Sequence, residues 1–310
     1  MHEKIKIVYM GTPEFAVAPL KSLIENDNFE VQAVVTQPDK KIGRKQKITA
    51  PPVKKSALEY DKPVLQPDII KNNTDFINLL KNLKPDFLVV IAFGQILPGE
   101  VLKIPTISSI NVHGSLLPMY RGASPINACL LNGDAETGVS YMKMKEKMDA
   151  GPIYQLQRIP IDPIDDAKTL AEKLSTVAAL QLPSVLESVS EGILDPLPQD
   201  ENKASYCHKI NKHDGLIDPQ NETAEKILNK WRAYTPWPGI YMMHNDKKII
   251  LHDIISTDKI FNQSGFFIEN NKLFLGTKDG TLEILMLQLE GKKALKTQEF
   301  LAGNASLFKT

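Results

Sequence analysis

Ile110-Asn111-Val112-His113-Gly114-Ser115-Leu116-Leu117-Pro118-Met119-Tyr120-Arg121-Gly122 is the stretch on which the reading of this chain turns. The mostly apolar run Ile104 to Ile110 ahead of it predicts a buried strand, broken at Gly114 and followed by a loop of two Leu, a Pro and a second Gly. An Asn and a His at the end of an apolar strand are poor core residues, and in open α/β sheets that end is where ligands bind. An Asn amide donates to a developing oxyanion, and a His moves protons near neutral pH. A third polar group, Asp149 in Met148-Asp149-Ala150-Gly151, follows the next predicted strand, Gly138 to Met144. Singly, a strand-end His is usually structural and an Asp before Ala-Gly is usually a turn residue. The combination is what nominates Asn111, His113 and Asp149 as candidate catalytic residues.

Working outward, short apolar runs alternate with helical patterns. Ile5–Met10, Val31–Thr36, Val64–Leu65 and Phe87–Ala92 read as strands. The last of these is a continuous run, mostly β-branched and aliphatic, which predicts a strand covered on both faces and hence a parallel sheet. Asp75 or Thr74 is the expected cap of a helix through Phe76, Leu79, Leu80 and Leu83. Thr169 to Val189 predicts a long helix interrupted or kinked at Pro183. The alternation argues a doubly wound, mostly parallel α/β domain. Gly11-Thr12-Pro13 after the first strand lacks the three glycines of a dinucleotide-binding turn, which argues against NAD. Glu191 to Ala204, with Gly192, Pro196, Pro198, Asp200, Glu201 and Asn202, reads as a linker. Beyond it the pattern changes to a helix (Asn221 to Tyr234) and five short strands separated by Gly, Asn and Asp turns, which predicts a small β-barrel. The expected domains are therefore residues 1–190 and 207–310, with 191–206 between them.

The 310 residues hold 37 basic and 37 acidic side chains, so a globally basic nucleic-acid binder is excluded. The charge is nevertheless local. Lys40, Lys41, Arg44, Lys45 and Lys47 face a single acid, Asp39, in a loop with almost no apolar content, as suits an arm for phosphates. Two distant cysteines, Cys129 and Cys207, give neither a disulfide framework nor a zinc signature, and fit a reducing cytoplasm. No apolar run approaches the roughly 20 residues of a membrane span, and the N-terminus shows no signal-peptide pattern.

Five motifs together resemble the methionyl-tRNA formyltransferase family. They are Gly11-Thr12-Pro13-Glu14-Phe15-Ala16; Thr36-Gln37-Pro38-Asp39-Lys40 with Gly43-Arg44; Asn111-Val112-His113-Gly114-Ser115-Leu116-Leu117-Pro118; Gly133 to Val139 with Met148-Asp149-Ala150-Gly151; and Pro236-Trp237-Pro238-Gly239 with Gly291-Lys292-Lys293. The resemblance implies a Rossmann-like formyltransferase domain followed by an OB-like barrel, in a monomeric cytoplasmic protein. It implies 10-formyltetrahydrofolate as formyl donor, methionyl-initiator-tRNA as acceptor, and no metal or membrane partner. Folate would meet Ser115, Leu116, Leu117 and Pro118. The tRNA would meet Lys40, Lys41, Arg44, Lys45, Lys47, Lys292 and Lys293. Three positions depart from the family pattern: Met119 where Arg is usual, Ala150 where Thr is usual, and Pro219 where Trp is common. The Asn–His–Asp set is shared with other folate-dependent formyltransferases, so an amino-sugar nucleotide is the competing acceptor. A non-catalytic RNA-binding protein is the competing class.

Overall fold

The computed structural model describes residues 3–42 and 46–308, with only the backbone of Ile42. Two compact units result. One holds the chain up to Pro125, Glu136–Pro160 and Ala171–Cys207; the other holds Ile126–Ala135, Ile161–Leu170 and the chain from His208.

The first unit is built on a seven-stranded sheet. Its order from one edge is Ile153–Pro160, Glu136–Lys143, Ser108–His113, Phe87–Ile91, Ile5–Gly11, Phe29–Val35 and Val64–Leu65. The last five strands run parallel, and the first two are antiparallel to their neighbours. The chain leaves Ile5–Gly11 towards Phe29–Val35 and later returns to Phe87–Ile91, so the strand order reverses between Ile5–Gly11 and Phe87–Ile91. This is the Rossmann-like arrangement, and the crevice at that reversal is its usual ligand site. Phe87-Leu-Val-Val-Ile91 is buried at every position, as a strand covered on both faces must be.

Helix Thr74–Leu83 covers one face with Phe76, Ile77 and Leu80, which pack with Val8, Leu88 and Val90. Its N-cap is Asn73, not Asp75 or Thr74: the Asn73 side chain accepts the Phe76 amide at 3.1 Å. An Asn one residue earlier reaches the same orphan N–H groups. Ala167–Ser190 continues through Pro183 as one helix. The strand expected at 104–110 occupies Ser108–His113 instead, because Lys103 and Ile104 close the short Gly99–Leu102 helix first. Residues 191–207 pack within the first unit: Leu197 bridges Ile153, and Tyr206–Cys207 pairs in parallel with Arg121–Gly122. The basic loop also has structure: Lys40–Ile42 and Lys47–Thr49 form an antiparallel hairpin.

The second unit carries an antiparallel six-stranded sheet, ordered Ile240–His244, Lys247–Thr257, Thr281–Leu289, Lys272–Gly276 and Gly265–Glu269, with Leu295–Lys296 pairing on Thr281–Leu289. It curls as a half-barrel. Two of its hairpins turn on Asn245-Asp246 and Asn270-Asn271, all four residues at positive φ. These are tight-turn positions that Asn and Asp tolerate. Thr223 caps helix Ala224–Tyr234 by accepting the Lys226 amide at 3.1 Å. A second helix, Thr297–Asn304, follows the last strand.

Candidate active site

Asn111 and His113 stand two residues apart on Ser108–His113, so their side chains leave the same face of the sheet. They lie at the strand's carboxyl end, and both are nearly enclosed, at 9% and 6% exposure. Asp149 comes from the loop after Glu136–Lys143, the antiparallel neighbour of that strand. The turn carrying it is tight. A Cβ on Gly151 would sit 1.7 Å from the Lys143 carbonyl oxygen, so only glycine lets the loop close on its own strand.

The three side chains meet around one carboxylate. The Asn111 amide donates to Asp149 Oδ1 at 3.4 Å. The Gly122 backbone N–H donates to Oδ2 at 2.8 Å. His113 Nδ1 lies 3.9 Å from the same Oδ2, too far for a hydrogen bond but within ion-pair reach. On its other side the ring faces the Tyr120 carbonyl, with Nε2 at 3.0 Å. A carbonyl only accepts, so Nε2 carries the proton. In the neutral ring Nδ1 then holds the lone pair and points towards Asp149. An imidazole nitrogen and a carboxylate oxygen thus face each other across that gap.

The loop from Ser115 is shaped by hydrogen bonds to its own surroundings. Ser140 Oγ–H donates to the Ser115 carbonyl at 2.5 Å, and the Leu117 N–H donates to Ser140 Oγ at 2.9 Å. Ser115 Oγ–H donates to the Met119 carbonyl at 2.7 Å. Leu116 and Leu117 are 3% and 2% exposed, so the loop presents Pro118 and Met119 outward instead of the leucine side chains. Gly122, at φ +122°, passes so close to Cys207 that a Cβ would lie 2.2 Å from its carbonyl oxygen. Burial pushes the Cys207 thiol up, which disfavours a nucleophilic role.

Two further side chains reach the site: Arg121, which the sequence offers as the anion contact that remains where Met119 replaces the usual Arg, and Gln199, which does not stand out in the sequence. Arg121 is fully buried, and its guanidinium donates to Gln199 Oε1, to both Glu201 carboxylate oxygens and to Tyr206 Oη. Arg121 first, and Lys147 at 3.2 Å beside it, hold the Glu201 carboxyl down at about 2. Gln199 in turn donates to the Asp149 carbonyl at 2.9 Å and to the Gly151 carbonyl at 2.6 Å. Gln199 lies in the Pro- and acid-rich stretch whose composition reads as a linker. A Gln directly after Pro198, at a register that reaches the preceding loop, was the only signal.

At the strand-order reversal, Ala92 directly follows Phe87–Ile91 with φ +46°, a strained conformation for a residue with a Cβ. Thr12 Oγ1–H ties the neighbouring strand end to the Phe93 carbonyl at 2.9 Å.

Lys40, Lys41 and Lys47 are exposed on the first unit's hairpin. Their one acidic neighbour, Asp39, is engaged by Lys54 at 2.9 Å and Gln66 at 2.8 Å, so it is held by partners other than these lysines. Arg44 and Lys45 lie outside the described residues. Lys292 and Lys293 are exposed in the second unit, in the turn after Thr281–Leu289. Among the described residues no group of three or more His, Cys, Asp or Glu is placed to hold a metal ion. No described helix is long and apolar enough to cross a membrane.

The formyl transferase family profile matches residues 3–186, and the profile of the formyl transferase C-terminal domain matches residues 209–305. A methionyl-tRNA formyltransferase of Caldicellulosiruptor saccharolyticus is 42% identical over 302 residues, covering 96% of each chain. One of Geobacter sulfurreducens is 41% identical over 300 residues, covering 96% of this chain and 94% of its own. Among solved structures, an N-formyltransferase from Helicobacter canadensis superposes with a TM-score of 0.69 at 21% identity, over 90% of this chain and 98% of that one. HypX from Aquifex aeolicus superposes with a TM-score of 0.67 at 17% identity, and this chain spans about half its length, 49%. At such identities the structural likenesses speak to fold alone, whereas the sequence matches run almost end to end. The chain is a formyltransferase and belongs to the methionyl-tRNA formyltransferase family.

Proposed function

We propose that this chain transfers the formyl group of 10-formyltetrahydrofolate to the α-amine of methionyl-initiator-tRNA, with Asn111, His113 and Asp149 as its catalytic residues. The observation that carries the reading is the convergence of an amide donor, an imidazole and a carboxylate on one strand end, in a chain about 40% identical to methionyl-tRNA formyltransferases over 96% of its length. The likeness to a protein crystallised with folinic acid supports a folate-type donor.

The amine nitrogen attacks the formyl carbon, a C–N bond forms, and negative charge develops on the formyl oxygen. Model α-amines titrate at about 7.7–8.0, so neutral amine is available and a weak base suffices. The Asn111 amide donates to the developing oxyanion, and losing one such donor costs about 2.7–4 kcal/mol. His113 joins it as a donor once protonated. The proton leaving the attacking nitrogen is taken into the His113–Asp149 gap. Collapse breaks the bond from carbon to the folate nitrogen, which leaves with a proton returned from the same pair. No charge is left over, and the residues present cover each step.

The donor's flat ring fits an apolar surface. Ser115, Leu116, Leu117 and Pro118 supply it chiefly through the Pro118 ring, since the two leucines point inward and the Ser115, Leu116 and Pro118 carbonyls and the Leu117 N–H are already hydrogen-bonded within the protein. The acceptor's phosphates suit Lys40, Lys41, Arg44, Lys45 and Lys47 on one unit and Lys292 and Lys293 on the other, with affinity that falls as salt rises. The protein acts as a monomer in the cytoplasm on this reading, with residues 1–190 as the formyltransferase domain, 191–206 as the connection and 207–310 as the tRNA-binding domain.

The test is a transfer assay with 10-formyltetrahydrofolate in which methionyl-initiator-tRNA, methionyl-elongator-tRNA and an amino-sugar nucleotide compete. Formylation confined to the initiator is the expected result. Transfer to the sugar alone would keep the mechanism and discard the acceptor.

A further inference from the structure

The side-chain amide of Gln199 is saturated between the buried Arg121 and the backbone of the Asp149 turn. Its Oε1 accepts two guanidinium N–H groups, from Arg121 Nε at 3.0 Å and Nη2 at 2.8 Å. Its Nε2 spends both hydrogens on the Asp149 carbonyl at 2.9 Å and the Gly151 carbonyl at 2.6 Å. A primary amide offers two acceptor sites and two donors, and all four are used.

What it holds is a tight left-handed turn. Asp149 sits at φ +49°, in the left-handed region that Asp visits more readily than most residues with a Cβ. Gln199 is the side chain that pins the carbonyls on both sides of Ala150. The same turn aims the Asp149 carboxylate at Asn111, His113 and the Gly122 N–H. Arg121 closes the frame from the other side. It is directly bonded in sequence to Gly122, whose N–H donates to Asp149 Oδ2, and it holds Gln199 by two hydrogen bonds. Backbone and side-chain contacts to Asp149 thus converge on one guanidinium with no exposed surface.

We propose that Gln199 is a positioning residue: it transmits the fixed geometry of Arg121 to the Asp149 turn and so sets where the carboxylate lies relative to His113. This rests on the reading of Asp149 as a catalytic residue. The chemistry singles out Gln at this position. Glu has the same length and accepts from Arg121, but it offers no donor and sets a carboxylate oxygen against two carbonyls. Asn keeps the amide but is one methylene too short to span both partners.

The test is steady-state formyl transfer by the full chain carrying Gln199→Glu, Gln199→Asn or Gln199→Ala, with Asp149→Asn alongside. A shift of about 1 Å in a reacting group lowers rates by around 100-fold, so kcat of the Glu and Ala variants should fall by roughly 10-fold to 100-fold. KM for donor and acceptor should stay within about twofold, because the lost interaction matters only in the transition state. The pH profile of kcat should shift as well, since the Asp149–His113 separation changes. Gln199→Asn should retain more activity than Gln199→Ala.

Wild-type kcat in Gln199→Glu and Gln199→Ala, with Asp149→Asn inactive, would overturn the proposal and leave the underlying mechanism standing. So would a fall in kcat matched by a rise in both KM values, which marks general distortion. Full turnover in Asp149→Asn would remove the mechanism, and the proposal with it. If Gln199→Ala fails to fold, Gln199→Glu, equal in size, decides.

Discussion

Phe87–Ile91 and Ser108–His113 are neighbours in the sheet, run parallel and are buried along their whole length. Their sequences could hardly differ more. The first is Phe-Leu-Val-Val-Ile; the second is Ser-Ser-Ile-Asn-Val-His. The first strand drives burial by removing apolar surface from water. The second must satisfy every polar group it carries, since an unpaired one costs about 1–3 kcal/mol. Ser109 Oγ donates to the Leu102 carbonyl at 2.9 Å, and Ser108 Oγ shares a 3.0 Å hydrogen bond with the buried Tyr154 hydroxyl. Asn111 and His113 find Asp149 and the Tyr120 carbonyl. The difference is that one strand is buried by its own apolar surface and the other by finding a partner for each polar group it carries.

The sharpest break of that contrast is on the polar side. Asp149→Asn keeps size and an oxygen for the Gly122 N–H but removes the charge facing His113. General acid–base catalysis contributes about 10²- to 10⁴-fold, and turnover should fall by that order while the thermal unfolding midpoint and folate binding hold. Single-turnover formylation beside a calorimetric scan measures both. Turnover near that of the wild type would end the catalytic role of Asp149.

On the apolar side the effect is expected in stability alone. Leu88 is fully buried among Val8, Val90 and Leu80. Leu88→Ala should lower the unfolding free energy by about 2–5 kcal/mol, the range for such cavities. Urea unfolding reads that loss, and activity per folded molecule should not change. A drop in specific activity larger than the loss of folded protein would mean that the two strands do not divide the work in this way.

How much of this was legible in the sequence follows from the same contrast. Phe87–Ile91 announces itself, because a β-branched apolar run bounded by Gly and Pro has few other readings. That Asn111, His113 and Asp149 come together was legible because polar groups in that run of strand and loop are costly unless they find partners. The start of Ser108–His113 was not, because Ile104 to Ile107 are as apolar as a strand and only tertiary pairing decides. Asn73 was passed over as a cap because the residues after it are also capable caps. Gln199 was hidden for a physical reason. Its partners are backbone carbonyls 48 and 50 residues away, and backbone carbonyls leave no trace in composition or spacing. The hairpin of Lys40–Ile42 with Lys47–Thr49 was likewise masked by charge, since its hydrogen bonds are main-chain.

The smallest expected effect concerns how the polar strand's exit is held. Arg121 ends the loop that follows His113, and its hydrogen bonds keep the Glu201 carboxyl near 2, against 4.5 for the ordinary group. A carboxyl whose pKa is lower in the folded state stabilises the fold above its unfolded pKa and stops doing so as pH falls through the folded value. The contribution of Glu201 should therefore be constant above about pH 4.5 and fade between there and about pH 2. Its side chain is 57% exposed, so solvent screening keeps the contribution small. The measurement is the difference in urea unfolding free energy between wild type and Glu201→Gln, taken at stepped pH. Other carboxylates titrate in both proteins and cancel in that difference. A gap that narrows on acidification assigns the tether to the Glu201 carboxylate with its two cations, Arg121 and Lys147 at 3.2 Å. A gap that is flat across the window would mean that Glu201 adds nothing that acid removes, and that Arg121 is held by Gln199 and Tyr206 alone.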